Sequence, residues 1–360
     1  MLLPTTYAIT LAVLIFATLC WGSWANTLKK SSWRFEVYYI DFAIGALLLA
    51  VVAAYTVGSM GSEISVQDNY LLSSKTQMIY AFMAGCVMNL ALMMFVAAVD
   101  LGGMAVAGSI VFGLALVVGA IWNYIGTQTG SVAALAGGSV LALLSVVTAT
   151  FAKGKLEGIR SRLAAAAKLL EEPPAEALAP GKKKRVEQST GPGPLRGVWL
   201  AIPAGLLFGA FYPAVGLSME GELGLSNPFA LMLIFSIGMF VSTFIYNLYF
   251  MNLPVKGLPI SVFAYFTGTL GQHAMGLLGG MLWMAGACAL LIALAAQGEA
   301  KVVPSIAKAF GYGAGMLSLF WGVTIWKEFA EGDGGVKRLL AITLLLLAGG
   351  IVLTAMAPQL

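Results

Sequence analysis

The chain has 360 residues, of which 59% are hydrophobic and only 10% are charged, and its formal net charge is +4. Soluble domains carry about 25% charged residues, so this composition excludes a soluble fold and predicts a polytopic membrane protein. The one histidine and three cysteines show no metal-ligand or nucleophile–base spacing. We therefore expect no enzymatic activity, no metal and no cofactor. The lipid bilayer is an expected partner, and nucleic acid is not.

Ten apolar runs follow one another along the chain, and each has about the 20 residues that a membrane-spanning helix needs. We number them spans 1 to 10 and the connections between them loops 1 to 9. They lie near residues 7–27, 37–57, 77–98, 103–123, 132–152, 198–217, 228–250, 274–297, 302–326 and 337–357. Open sheet edges are excluded from lipid, and the runs are too long for barrel strands, so we predict an all-α bundle. Residues 1–152 form a first unit of five spans, 153–197 a basic linker and 198–360 a second unit of five spans.

Short motifs recur in the two five-span units. The sequence WGSW at 21–24 in span 1 corresponds to FGAF at 208–211 in span 6. Two further matches are FMAG at 82–85 with WMAG at 283–286, and VAGSI at 106–110 with VVPSI at 302–306. A unit with an odd number of spans ends on the side opposite its start, so the second copy must be inverted. Inverted repeats are typical of secondary transporters, whose substrate site lies near the midplane between the repeats.

Lys and Arg residues are concentrated in and beside the odd-numbered loops, above all in the central loop. Because positive residues favour the cytoplasm, we place the odd loops there, with both termini outside an inner or plasma membrane. In the central loop, apolar residues share one face over 156–170, which predicts a helix on the inner membrane surface. The basic stretch at 180–194 has the composition of a flexible tether. It either contacts anionic lipid or is a solvated linker.

Polar and aromatic residues inside the spans are the candidate substrate ligands. In span 1, Trp24 and Asn26 follow a glycine that permits bending, and in span 6 Tyr212 precedes Pro213, which interrupts the helical hydrogen bonds. Asn89 lies midway along span 3, where its amide is suited either to a cavity or to hydrogen bonding between helices.

Lys308 lies inside span 9, on one helical face with Ser305 and Tyr312. A lysine near the helix centre costs roughly 2.5–3.5 kcal/mol on insertion, so we expect it to bind solute. The alternative is that its ammonium reaches the headgroups near Lys301. Lys308 and Tyr312 complete the predicted substrate site, which also contains Trp24, Asn26, Asn89 and Tyr212.

Asp41 lies about one turn inside span 2 and is the candidate for proton coupling, since intramembrane carboxylates are suited to proton relay. The alternative is a carboxylate near the helix N-terminus, neutralised by the neighbouring residues Lys29, Lys30 and Arg34. His273, the single histidine, begins span 8. We predict that it is a structural residue at the membrane interface, with pH sensing as the alternative.

Several of these segments carry a resemblance to known families. The ten-span plan resembles the drug/metabolite transporter superfamily. Within it, WGSWAN at 21–26, YIDF at 39–42, FWGV at 320–323 and WKEF at 326–329 resemble the ureide permease family. The Trp-Gly-Ser motif is also similar to the glucose and rhamnose uptake branches. The resemblance implies uptake of a small polar solute, usually coupled to a proton.

The sequence therefore predicts a secondary active transporter that takes up a small polar solute by alternating access. The resemblance implies a ureide or nucleobase-like heterocycle, or a sugar, with a proton or another cation as the coupling ion. One alternative is a drug or metabolite exporter of the same fold, whose cavity would be more apolar and more acidic. Another is a non-transporting receptor, which would need a larger external domain. The sequence leaves the oligomeric state open.

Overall fold

The computed structural model describes residues 2–61, 63–128, 130–171 and 195–360, and within these ranges it contains helices and no strand. The α-helices are α1 (Tyr7–Ser23), α2 (Ala25–Ser31), α3 (Phe35–Tyr55), α4 (Val66–Leu72), α5 (Lys75–Gly102), α6 (Met104–Thr127), α7 (Val132–Glu171), α8 (Arg196–Gly209), α9 (Phe211–Met219), α10 (Pro228–Asn252), α11 (Leu270–Ala295), α12 (Pro304–Phe320) and α13 (Gly334–Met356). A π-helix at Trp321–Ile325 and short 3₁₀ helices at Val262–Thr267, Gly298–Ala300 and Ala357–Gln359 complete the order. The tether predicted at 180–194 lies outside the described residues.

Nine helical segments within the described ranges are long and apolar enough to cross a membrane. They are Tyr7–Ser31, Phe35–Tyr55, Lys75–Gly102, Met104–Gly126, Val132–Ala167, Arg196–Met219, Pro228–Asn252, Leu270–Ala295 and Gly334–Gln359. They coincide with predicted spans 1 to 8 and 10. Predicted span 9 consists of the 17-residue helix α12 and the π-helix that continues it. The prediction of an all-α polytopic membrane protein is confirmed.

Two of the spans are interrupted at the motifs that suggested a repeat. Span 1 divides into α1 and α2 at Trp24, and span 6 divides into α8 and α9 at Ala210. Pro213 has no N–H to donate back to Gly209, which accounts for the second interruption. Discontinuous helices in a membrane bundle expose backbone polar groups, and transporters use such places for binding.

The helix neighbours form a regular pattern when the spans are compared five apart. Span 1 packs on spans 8 and 9, and span 6 packs on spans 3 and 4. Span 2 packs on span 8, and span 7 on span 3. Spans 2 and 7, 4 and 9, and 5 and 10 pack on each other. Exchanging every span with the one five places away therefore leaves this set of contacts unchanged.

Two helix crossings, α3 on α11 and α5 on α10, are both built on glycines. A methyl group at Gly45 would lie 2.1 Å from the Leu277 carbonyl oxygen, and one at Gly280 would lie 1.9 Å from that of Phe42. The second crossing has Gly85 and Gly238 in the same relation, at 2.0 and 2.1 Å from carbonyl oxygens of the facing helix. Small residues let membrane helices approach this closely. Each of the four glycines is the eleventh residue of its helix.

The fifth span continues further than predicted, because α7 runs without interruption for 40 residues. At 1.5 Å per residue its length is about 60 Å, roughly twice the hydrocarbon thickness. A separate surface helix over 156–170 is therefore wrong. Leu156 is fully buried, and two cations hold this extension to the chain before α13. Lys155 Nζ lies 2.9 Å from Asp333, and Arg160 contacts Glu331 at 2.5 Å and donates to the Glu328 carbonyl at 3.1 Å.

Candidate functional site

A cavity of about 650 Å³ lies where loops 1, 3, 7 and 9 meet. We call this side of the bundle the odd-loop face. Both five-span units line the cavity, and its walls combine charged and aromatic side chains: Lys29, Trp33, Asp100, Lys153, Lys256 and Glu328. Its volume falls within the range of small-molecule sites.

Three contacts join span 1 to the end of span 9 beside this cavity, which Lys29, Trp326 and Glu328 line. Trp321 Nε1 donates to Ser23 Oγ at 3.0 Å, and Trp326 Nε1 donates to Asn26 Oδ1 at 2.6 Å. Lys29 pairs with the Glu328 carboxylate. The π-helix between the two tryptophans widens the backbone turn there, a feature frequent at functional sites. Asn26 of the predicted site therefore lies beside the cavity, and the segments that carried the family resemblance are bonded to each other.

Glu328 also caps the N-terminus of α6. Its two carboxylate oxygens accept the backbone N–H groups of Met104 at 2.7 Å and Ala105 at 2.9 Å. A carboxylate in this position satisfies unpaired amides and complements the helix dipole. The side chain thus connects loop 9 to the start of span 4 and, through Lys29, to span 1.

The opposite side, which we call the even-loop face, is closed by hydrogen bonds between the two units. Loop 2 meets loop 6 through Asn69 Nδ2 and Ser226 Oγ at 3.2 Å, and Ser74 N donates to the Leu223 carbonyl at 3.0 Å. Asn227 donates to the Gly58 carbonyl at 2.9 Å. The bundle thus has an open cavity on one face and a hydrogen-bonded seam on the other.

Lys308, Tyr212 and Tyr312 of the predicted site lie together toward the even-loop face. Lys308 Nζ donates to Asn123 Oδ1 at 2.9 Å and lies 5.3 Å from the centre of the Tyr212 ring. The rings of Tyr212 and Tyr312 pack edge to face at 6.0 Å. Lys308 and Tyr312 border a cavity of about 30 Å³, room for about one water molecule. In this conformation the ammonium is held by Asn123 and the face of the Tyr212 ring.

An aromatic stack lies between this group and the odd-loop face. The indole of Trp283 is nearly parallel to the rings of Trp21 and Phe235, and its ring centroid lies 6.1 Å and 6.2 Å from theirs. Among the described residues, Trp283 Nε1 and the Tyr212 hydroxyl are buried without a hydrogen-bond partner. Leaving such a group unsatisfied costs about 1–3 kcal/mol. The indole N–H is therefore suited to donate to a polar solute, and the hydroxyl to donate or accept. The predicted substrate site did not include Trp21 or Trp283; their position in the repeated motifs was the available signal.

Trp24 and Asn89 are occupied by contacts between helices in this conformation. Trp24 is fully buried and packs on Phe42 and Phe95. Asn89 is also fully buried; its amide accepts from the Tyr39 hydroxyl at 2.8 Å and donates to Ser242 Oγ at 2.8 Å. These hydrogen bonds join α3, α5 and α10. The structure thus groups Tyr212, Lys308 and Tyr312, and places the other three predicted ligands elsewhere.

Asp41 has partners that the sequence did not predict. Its side chain is 3% exposed; Oδ2 lies 2.7 Å from His273 Nδ1, and Oδ1 accepts the Tyr265 hydroxyl at 2.7 Å. The expected neutralisation by nearby cations is wrong, because Lys29 pairs with Glu328 and Arg34 pairs with Glu36. We call Asp41, His273 and Tyr265 the acid–histidine cluster. Burial and the adjacent carboxylate raise the pKa of Tyr265 to about 12, so this hydroxyl remains a donor at neutral pH.

The chain is similar to known proteins in sequence and in fold. No family model matches the chain. Ureide permease 1 of Arabidopsis thaliana is 24% identical over 383 residues, covering 93% of each chain. Ureide permease 2 of the same plant is 24% identical over 378 residues, covering 90% of each. The chain is similar to permeases along most of its length. A solved crystal structure covers 98% of this chain and 99% of its own, with 15% identity and a TM-score of 0.51, and supports the fold alone.

Proposed function

We propose that this protein is a secondary active transporter that takes up a small polar solute by alternating access. The observation that carries the proposal is the cavity of about 650 Å³ between the two units at one face, opposite a hydrogen-bonded seam at the other. A receptor or an enzyme has no need of this arrangement, whereas a carrier needs it. The similarity to two permeases over most of the chain supports the same conclusion.

The solute path in this proposal leads from the even-loop seam, past the aromatic stack, to the odd-loop cavity. Tyr212, Lys308 and Tyr312 bind the solute, and Asn26 positions it through Trp326. Trp24 and Asn89 shape the walls through helix packing. A ureide, a nucleobase-like heterocycle or a sugar fits the mixture of aromatic faces and hydrogen-bond donors. Asp41 is the proposed site of proton coupling.

The two five-span units are, in this proposal, an inverted repeat. Support comes from the helix contacts, which are unchanged when spans five apart are exchanged, and from the glycine at the eleventh residue of four helices. With the odd loops in the cytoplasm of a cell whose inner or plasma membrane holds the protein, the structure corresponds to an inward-facing state. Rocking the units would close this face and open the other.

Reconstituted liposomes test transport directly. Purified protein in liposomes is offered radiolabelled allantoin, uracil and glucose, each with and without an inside-alkaline pH gradient. We expect saturable uptake of one compound that an excess of the unlabelled compound abolishes. Uptake of all three no faster than in protein-free liposomes, from protein that elutes as a monodisperse peak, would refute the transporter for these solute classes.

Lys308→Ala tests the substrate site. Removing the ammonium also removes its contacts with Asn123 and the Tyr212 ring, so we expect at least a tenfold weaker apparent affinity for the transported compound. The control is Lys301→Ala, which changes an exposed lysine before the same helix and should leave affinity unchanged. Wild-type affinity in Lys308→Ala would remove this residue from the site.

A further inference from the structure

The acid–histidine cluster contains a buried negative charge with a single titratable counter-charge. Within the described residues, the ion pairs of Asp41 are limited to His273. With a neutral imidazole the cluster carries a net charge of −1, which lies on the Asp41 carboxylate. The Asp41 side chain is only 3% exposed. With a protonated imidazole the net charge is zero. Burying an unpaired charge costs several kcal/mol, and one proton on the imidazole pairs this one.

Other ionisable groups near the cluster do not supply the missing positive charge. Tyr38 interacts with Asp41 but donates or accepts at Thr27 Oγ1, 2.6 Å away. On α2, which packs on α11, Lys29 pairs with Glu328 and Lys30 is exposed. On α3, Glu36 pairs with Arg34. The remaining ring against the imidazole is Trp33, which is not titratable, at 4.9 Å.

The histidine side chain is more exposed than that of the aspartate. The side chain of His273 is 23% exposed, whereas that of Asp41 is 3% exposed. Because the carboxylate can only accept, Nδ1 carries a hydrogen and donates to Asp41 Oδ2, which leaves Nε2 as the atom that gains a proton. The Tyr265 hydroxyl donates to the other carboxylate oxygen. One proton thus enters from water to Nε2, and no other bond changes.

The cluster joins the two units at the α3–α11 crossing. Asp41 lies on α3 of the first unit, and His273 and Tyr265 belong to the second. A methyl group at Gly276 of α11 would lie 2.5 Å from Asp41 Cβ, so α3 and α11 are in direct contact at this level. Any change in the charge of the cluster therefore acts on the α3–α11 crossing.

At the equivalent crossing on the other side, the described residues form no ionisable cluster. Tyr70 precedes α5 by five residues, as Tyr265 precedes α11, and its hydroxyl donates to the Ala230 carbonyl of α10 at 2.8 Å. Asp41 is the seventh residue of α3, and the seventh residue of α10 is Ile234. His273 is the fourth residue of α11, and the fourth of α5 is Met78. The same scaffold thus carries an acid and a base at one crossing only.

We propose that Asp41, His273 and Tyr265 form the proton-binding site of the carrier, with His273 as the proton acceptor and Asp41 as its fixed counter-charge. The proton holds the α3–α11 crossing together at the odd-loop face, and its loss leaves a buried negative charge that favours separation of the helices there. This inference rests on the proposed transport function and adds to it the residue that carries the proton.

Transport in two modes separates coupling from transport itself. Accumulation driven by a pH gradient requires proton binding, whereas exchange of labelled for unlabelled solute at equal pH does not. With one proton per solute, a gradient of one pH unit supports up to about tenfold accumulation. We expect His273→Gln, which retains a hydrogen-bond donor but cannot be protonated, to lose this accumulation, so that its ratio of accumulation to exchange falls below that of wild type.

Met78→Gln provides the matched control, because it introduces the same side chain at the equivalent position of α5. It should accumulate solute as the wild type does. Gradient-driven accumulation by His273→Gln equal to wild type would overturn the inference while leaving the transporter intact. Absence of both accumulation and exchange in the wild type would instead refute the proposed function.

Thermal unfolding in detergent gives a readout that does not depend on transport. Histidine is the side chain that ordinarily changes charge between pH 5 and 8. The proton stabilises the folded cluster, so the wild-type melting temperature should fall as pH rises through this range, and His273→Gln should show a smaller fall. Asp41→Asn should reduce the same fall, because an amide leaves no negative charge to neutralise. Parallel curves for all three proteins would contradict the proposal.

Discussion

Glu328 joins three parts of the bundle through one carboxylate. It accepts two backbone N–H groups at the start of α6 and pairs with Lys29 at the end of span 1. Its side chain is only 10% exposed, so water screens these contacts little. Each hydrogen bond to a charged group contributes about 1.5–3 kcal/mol. The residue lies in the WKEF motif, which the sequence associated with a family without indicating this role.

Tyr265 gives a pH-dependent prediction at the residue scale. Its folded-state pKa is about 12, above the ordinary value of 10.0, because of burial and the neighbouring Asp41. The hydrogen bond to Asp41 therefore stabilises the fold fully below pH 10 and is lost as pH rises toward 12. We expect Tyr265→Phe to melt below wild type at pH 8 and the gap to narrow from about pH 10 to 12.

An exposed tyrosine serves as the control for that measurement. Tyr7, which is 45% exposed, can be changed to Phe, and its melting temperature should follow that of wild type at every pH. A gap between Tyr265→Phe and wild type that stays constant up to pH 12 would contradict the assignment.

The residues that sequence reasoning placed well are those whose local pattern decides their surroundings. Lys308 and Tyr312 share a helical face in the sequence and border the same cavity in the structure. The environment of Asp41 could not be predicted, because His273 and Tyr265 are more than 220 positions away along the chain. Asn89 shows the same limit, since the hydroxyls that satisfy its amide belong to α3 and α10.

Where helices cross, glycines determine how closely their backbones approach. Span lengths and the all-α fold followed from hydropathy, because lipid leaves few alternatives. The crossings α3–α11 and α5–α10 did not, since hydropathy does not show which glycine faces a carbonyl. The continuous helix α7 was missed for a related reason: an amphipathic pattern describes a half-buried helix equally well on a membrane surface or against a bundle.

Gly280→Ala tests the α3–α11 crossing. The added methyl group would lie 1.9 Å from the Phe42 carbonyl oxygen, so backbone must move apart. Overpacking of this kind costs about 1–3 kcal/mol, and we expect a lower melting temperature in detergent.

Gly271→Ala in the first turn of the same helix is the control for that substitution. No atom lies within 4 Å of its added methyl group. Because alanine favours a helix over glycine by about 1 kcal/mol, this variant should melt at or above the wild-type temperature. Equal effects of the two substitutions would show that the crossing is not tightly packed.

The whole molecule presents an open cavity at one face and a bonded seam at the other. Spans five apart have equivalent helix neighbours, yet the side chains at equivalent positions differ. The even-loop face is held by neutral hydrogen bonds such as Asn69 to Ser226. The odd-loop face is rich in ion pairs and contains the acid–histidine cluster.

Cross-linking the even-loop seam tests alternating access. Cysteines at Asn69 and Ser226, whose side chains are in contact at 3.2 Å, can be joined by oxidation. We expect oxidation to abolish uptake and a reductant to restore it, because solute can no longer enter from that face. The single variant Ser226→Cys, treated in the same way, should retain uptake. Full uptake by the oxidised double variant, with the cross-link verified by mass spectrometry, would exclude opening at this seam.

The long helix α7 extends beyond the bundle while remaining attached to the segment before α13. Lys155 and Arg160 bind Asp333, Glu331 and the Glu328 carbonyl, so the extension and loop 9 form one mechanical unit. A fluorophore on the exposed side chain at Ser161 would therefore follow any displacement of loop 9 from a position that does not line the cavity.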